Sequence, residues 1–310
     1  MANKTYFTAT IHDIASWLAI YQSKNAFAPL IQAIFEKEQL PYGPLQNLTP
    51  GSNIIFGVGK DYVIKLFMPT ETGYSNPLAA KIEKAGLTHA NRVIPSPKLF
   101  ASGIIYDKYN FSYLIMEQIA GIDFTAFSPA EKRPFVPTVK EFSHNLATFF
   151  PDPDIPILTK EECLSNPRWS VFPESFQAER KKIILTTNFD APVFVHGDFK
   201  AANLLCTASN QLNVIDFADC YFAPKEYEWP YLIFGLFGCD TAMINTYFAK
   251  ELDATFIQTL TGAFLMHKFG ANLLSQIFDL KHIDLATITS LPALTTVLTE
   301  CLAQETFLTE

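Results

Sequence analysis

The sequence is short of what a secretory leader, a membrane span or a nucleic-acid surface would require. Its start, MANKTYFTATIHD, carries no apolar leader core, and no apolar run of roughly eighteen residues occurs. Export and membrane insertion are therefore not expected. Lysine and arginine total 23 against 31 acids, a net charge of −8 with no basic stripe, so nucleic acid is not an expected partner. The five cysteines, Cys163, Cys206, Cys220, Cys239 and Cys301, are odd in number and form no C-x-x-C pair. They read as reduced core thiols, and a cytoplasmic location is the expectation. At 49% hydrophobic and 17% charged, with 28 phenylalanines, the chain is globular rather than disordered, and its 310 residues favour two lobes.

Residues 11–38 place Ile11, Ile14 and Leu18, then Leu30 and Ile34, at helical spacing, which predicts two short helices separated at Pro29. Between 45 and 67 the texture turns to β-branched residues with turn signals at Pro50-Gly51 and Gly57-Val58-Gly59, giving three antiparallel strands. A helix is expected around PLAAKIEKAG, with Pro at its start and Gly at its end. Two further strands follow in PKLFASGIIYD and FSYLIMEQIAG. Beyond Gly121 the pattern becomes helical: Val139, Phe142, Leu146 and Phe149 share one stripe, Phe256, Leu260 and Phe264 another, Leu273 and Ile277 a third. The expected fold is α+β with two lobes. Residues 1–118 make an N-terminal antiparallel sheet lobe with a helical extension, and residues 119–310 a larger, mainly helical C-terminal lobe.

HGDFKAANLL, residues 196–205, sets polar groups between two apolar runs, APVFV and LNVIDFA. Leaving such groups buried without partners would cost several kcal/mol each, so the fold is expected to use them. Asp198 can orient a hydroxyl and take its proton. Asn203 and Asp216 offer hard oxygens to a cation that keeps waters and prefers substrate phosphates, which describes Mg²⁺. The interval from His196 through Asp198 to Asn203, followed by Asp216 in DFA, is that of a kinase catalytic loop and its metal-binding aspartate. Average residue usage would give such a match in about one chain of this length in 500.

On HGDFKAANLL and NVIDFADCYFAPKEYE the chain resembles the aminoglycoside phosphotransferase and choline kinase-like small-molecule kinases, relatives of the protein kinases. The resemblance spans about residues 45–240 and implies ATP, with GTP not excluded, Mg²⁺ and a hydroxyl-bearing small-molecule acceptor. It implies that Lys65, which alternation in DYVIKLF sets opposite Ile64 and Leu66, holds the nucleotide phosphates. It also implies phosphate contacts from the hairpin at Ser52 and Asn53 and adenine contacts from the backbone at Glu117 and Ile119. Lys200 is expected either to steady the transferring phosphate or to be a solvated loop lysine, and His196 to brace the loop. Glu228 stands where the family usually has aspartate, in a structural role, and Phe150 where it often has histidine.

The glutamate that pairs with Lys65 is left open between Glu71 and Glu83, because the expected position falls nearer Asn76. A binding-only pseudokinase is the alternative to an enzyme, kept open by that missing partner. A protein kinase is disfavoured because no A-P-E follows DFA. For the acceptor, Asp219, Glu226 and Asp240 are acids that either attract a cation or lie on a solvated face.

Overall fold

The computed structural model describes residues 5–49, 51, 53–69, 78–250 and 252–303. By contact the chain forms two units. One comprises residues up to Gly121 together with Thr207–Ala218, the other Ile122–Cys206 together with Asp219 onward.

The first unit opens with α1 (Ile14–Ile20) and α2 (Lys24–Lys37). Asp13 accepts from the Ser16 N–H to cap α1, and Ser23 accepts from the Ala26 N–H to cap α2. Pro29 does not separate the helices as expected from the sequence; it lies inside α2. The break is instead set by the cap at Ser23. A proline inside a helix costs about 3 kcal/mol. Phe27, Leu30, Ile31, Ile34 and Phe35 are all fully buried, and at about 1.5–3 kcal/mol each they outweigh it.

Those side chains share one core with a five-stranded antiparallel sheet. Its strands are β1 (Leu45–Asn47), β2 (Ile54–Val58), β3 (Tyr62–Leu66) and, after α3 (Ala79–Ala90), β4 (Leu99–Tyr106) and β5 (Asn110–Glu117), in the order β1-β2-β3-β5-β4. The β2–β3 turn uses Gly59 at φ +69°, where a side chain would strain the backbone. Period-two alternation sends Ile64 and Leu66 of β3 into the core shared with α2. Lys65 falls on the other face, between Ile55 of β2 and Leu114 of β5 in register.

The remaining elements are β6 (Gly121–Asp123), α4 (Pro129–Lys132), α5 (Val136–Leu146), α6 (Lys160–Ser165), α7 (Glu174–Thr186), β7 (Val193–Val195), β8 (Leu204–Thr207), β9 (Leu212–Val214), β10 (Tyr221–Ala223), α8 (Thr241–Phe248), α9 (Ala254–Met266), α10 (Gly270–Leu280) and α11 (Leu291–Ala303). The second unit is mainly helical. Its core takes the expected stripes Val139, Phe142 and Leu146 of α5, Phe256, Leu260 and Phe264 of α9, and Leu273 and Ile277 of α10. Phe149 lies past the end of α5, with its ring 5.9 Å from Phe194 of β7. β7 pairs antiparallel with β10, Val195 opposite Tyr221, and delivers the chain to His196.

Among the described residues no helix is long and apolar enough to cross a membrane. All five cysteines are buried and unbridged.

Candidate active site

In the first unit the central feature is Lys65. The middle of a sheet strand carries its ammonium away from water, and Lys65 is only 3% exposed. Its Nζ lies 2.6 Å from Glu83 Oε2 on α3 and 2.8 Å from Asp216 Oδ1. Burial alone would push the Lys65 pKa down; the carboxylates of Asp216 and Glu83 outweigh it and hold the value above that of an ordinary lysine. The helix partner is thus Glu83, itself 2% exposed. Glu71 and Asn76 lie outside the described residues.

Asp216 reaches Lys65 because the segment carrying it folds back on the first unit. The Val214 N–H of β9 donates to the Pro95 carbonyl, and two residues later Asp216 adopts φ +65°, a left-handed conformation that aspartate tolerates better than most residues. Its side chain remains 40% exposed, so it can serve Lys65 and a solvent-borne cation together.

The other residues expected around a nucleotide are more scattered. Asn53 immediately precedes β2, and Ser52 lies outside the described residues. Glu117 ends β5, where its N–H donates to the Lys98 carbonyl, and the Ile119 carbonyl accepts from the Gly121 N–H.

In the second unit the loop after β7 is built around Asp198. Lys200 Nζ lies 2.9 Å from Asp198 Oδ2, and Asn203 Nδ2 donates to the same oxygen at 2.9 Å and to the Asp198 carbonyl at 2.7 Å. Two donors on one carboxylate oxygen fix its rotamer. With its amide nitrogen committed to Asp198, Asn203 has its carbonyl oxygen left as the atom suited to a metal. Lys200 also lies over the Tyr231 ring, 5.6 Å from its centroid, so it is tied into the site.

The backbone of the loop is held from two sides. Glu228, buried, accepts from the His196 N–H at 2.6 Å and the Gly197 N–H at 2.9 Å. Burial pushes the Glu228 carboxyl up to about 7 against the pull of those N–H groups, with the nearby Asp198 charge adding to the rise. His196 is fully buried, stacks on Phe199 and accepts from the Asp198 N–H through Nδ1 at 3.3 Å. It braces the loop. Gly197 adopts φ +79°, and an added Cβ would run into the Asp219 carbonyl oxygen. His267, which no sequence pattern singled out, meets the Gly197 carbonyl from a position seventy residues away.

The residues matched by the model of the phosphotransferase enzyme family run from 52 to 268, more than two thirds of the chain. The chain belongs to this family. No protein with a curated description matches it. Among solved structures, it is similar to aminoglycoside 2'-phosphotransferase-IIIa in its GDP complex: 17% identity, TM-score 0.58, covering 91% of this chain and 99% of that one. It is also similar to a thermostable mutant of aminoglycoside phosphotransferase APH(4)-Ia, at 16% identity and TM-score 0.58, covering 87% and 98%. A third is amicoumacin kinase hAmiN in complex with AMP-PNP, Ca²⁺ and Ami, at 15% and 0.58, covering 89% and 94%. At these identities the likeness is one of fold. The protein is a small-molecule kinase by family, with an antiparallel sheet unit and a helical remainder.

Two expectations about the surroundings of this phosphotransferase's site change. Asp240 is not a solvated acid. It is buried, accepts from the Met243 N–H as the cap of α8, and pairs with Arg133 at 2.7 Å. Asp219 pairs with Lys268 at 2.8 Å. Neither stands as an uncommitted charge for a cationic acceptor. Phe150 is exposed.

Proposed function

We propose that the protein transfers the γ-phosphate of ATP, with GTP as the rival donor, to a hydroxyl of a small molecule of the aminoglycoside, amino-alcohol or sugar class. The observation that carries this reading is the Lys65 ammonium, buried against Glu83 and Asp216. Taking the Lys65 and Glu83 charges out of water is expensive, and hydrophobic residues would fill the same space at less cost. A phosphate-binding role accounts for keeping them. The Glu83 pairing also supplies the partner whose absence left a binding-only reading open.

In this reading Lys65 orients the phosphates while Glu83 keeps its ammonium aimed. Asp198, steadied by Lys200 and Asn203, directs the acceptor hydroxyl and takes its proton. Glu117 has its N–H engaged and Ile119 its carbonyl, so an adenine edge would meet the Glu117 carbonyl and the Ile119 N–H. Asn53 precedes β2, where a backbone donor would face phosphate.

The donor set fits Mg²⁺. Among the described residues no cluster of three His, Cys, Asp or Glu side chains would cage a metal. Asn203 and Asp216 instead each offer an oxygen, which suits a cation that completes its shell with water and phosphate. Such an ion would neutralise phosphate charge.

The test is an ADP- and GDP-release screen with ATP or GTP across aminoglycosides, choline-like amines, amino-alcohols and sugars, with the phosphorylated product identified by mass. A hydroxyl-bearing acceptor that gains one phosphate supports the reading. A protein that binds neither nucleotide, with Mg²⁺ present, contradicts it.

A further inference from the structure

The catalytic loop has a weak point built into it. Gly197 precedes Asp198 and sits at φ +79°, as close packing against the Asp219 carbonyl requires. A glycine there also lets the next peptide plane rotate more easily than any other residue would. That plane contains the Gly197 carbonyl and the Asp198 N–H, and its rotation would swing the Asp198 carboxylate. Both ends of the plane are tied. The Asp198 N–H donates to His196 Nδ1 at 3.3 Å, and the Gly197 carbonyl lies 3.1 Å from His267 Nε2.

The hydrogen bonds of His267 assign its protons. A carbonyl only accepts, so Nε2 carries hydrogen and donates to Gly197; Nδ1 accepts from the Phe269 N–H at 3.0 Å. That is one tautomer of the neutral ring. Burial pushes the His267 pKa down to about 3, with Lys268 adding to the fall, so the ring stays neutral at working pH. Its plane is wedged by Tyr227, stacked at 4.2 Å between centroids, and by the edge of Tyr231 at 5.2 Å. Tyr227 is itself held where its hydroxyl accepts from the Lys268 N–H. Glu228 meanwhile holds the N–H groups of His196 and Gly197, with a further backbone contact from Phe199, and leaves the Gly197 carbonyl to His267.

We propose that His267 is a positioning residue for phosphotransfer: through its Nε2–H bond to the Gly197 carbonyl it locks the peptide plane that aims Asp198. The inference rests on Asp198 being the residue that directs the acceptor hydroxyl. It assigns to a histidine outside the 196–216 motif a share of kcat and none of nucleotide affinity.

Two substitutions divide the ring's two bonds. Glutamine places an amide near Nε2 and can still donate to Gly197. Asparagine is shorter, reaches only the Nδ1 position, and keeps the Phe269 contact while losing the Gly197 one. The experiment compares His267→Gln and His267→Asn for kcat, nucleotide KM and melting temperature in the full chain. His267→Asn is expected to lower kcat about ten- to a hundredfold, the scale of a reacting group misplaced by about an ångström, with nucleotide KM unchanged. His267→Gln restores most of kcat although both variants lose stability. Equal kcat in the two variants, whether retained or lost together, overturns the proposal. Asp198→Ala in the same assay keeps the underlying reading separate. If it turns over normally, the role of Asp198 fails; if it is inactive while His267→Asn keeps full kcat, only the positioning role fails.

Discussion

Replacing Lys65 by methionine is expected to strand a charge. Glu83 is 2% exposed and has the Lys65 ammonium 2.6 Å away. With that cation gone, its carboxylate must stay buried uncompensated or take up a proton. Breaking a buried pair from one side costs about 3–5 kcal/mol. Glu83→Gln acts differently. Lys65 keeps Asp216 at 2.8 Å and can donate to the new amide oxygen, so the loss should be about 1–2 kcal/mol. In Lys65→Met/Glu83→Gln no buried charge is stranded, and the double variant should be more stable than Lys65→Met alone. The assay is urea unfolding of the four proteins, followed by amide exchange in β3 and by fluorescence of Trp17, which is buried in the same unit. The Lys65→Met deficit should also grow from pH 5 to pH 8, as the stranded Glu83 is forced to ionise. Additive losses, or a Lys65→Met protein no less stable than Glu83→Gln, would refute the reasoning.

Three further outcomes are expected. Glu228, raised by burial from 4.5 to about 7, keeps its proton in the folded protein where the unfolded chain has lost it. The stability it contributes is therefore present below pH 4.5 and is lost as pH rises through about 7. The stability advantage of wild type over Glu228→Gln should shrink by on the order of 3 kcal/mol over that window in pH-resolved unfolding, and a constant difference would contradict it. Gly197→Ala would force both the left-handed backbone and a clash with Asp219, so it should lose several kcal/mol of stability and most turnover; a wild-type melting temperature would overturn this. Asp216→Asn should raise the Mg²⁺ concentration needed for half-maximal turnover, and an unchanged metal dependence would count against Asp216 as a ligand.

What was legible in the sequence was local. Alternation in DYVIKLF is enough to put Lys65 opposite Ile64 and Leu66, and turn signals delimit β2 and β3, because both follow from the two-residue period of a strand. The interval from His196 to Asn203 is likewise short enough for the loop to carry it. The partner of Lys65 was not legible, since whether Glu83 meets it depends on how α3 packs, and that packing is decided by Ile82, Leu87 and the sheet. Nor could the order of residues show that Val214 bonds to Pro95 and brings Asp216 into the first unit. Pro29 misled because proline's helix-breaking tendency is a fixed local cost, whereas the burial that overrides it is tertiary. His267 had no signal at all: an isolated histidine after an apolar helix gives no hint of a carbonyl seventy residues earlier.

The role proposed for Asp198 is to serve the acceptor rather than the nucleotide. The direct measurement is a pair of readings on Asp198→Ala: nucleotide affinity by calorimetry with Mg²⁺, and turnover with whichever acceptor the screen identifies. Nucleotide affinity close to that of the unaltered protein, with turnover down by about 10²–10⁴, is the result predicted. Retained turnover with lost nucleotide binding would contradict it.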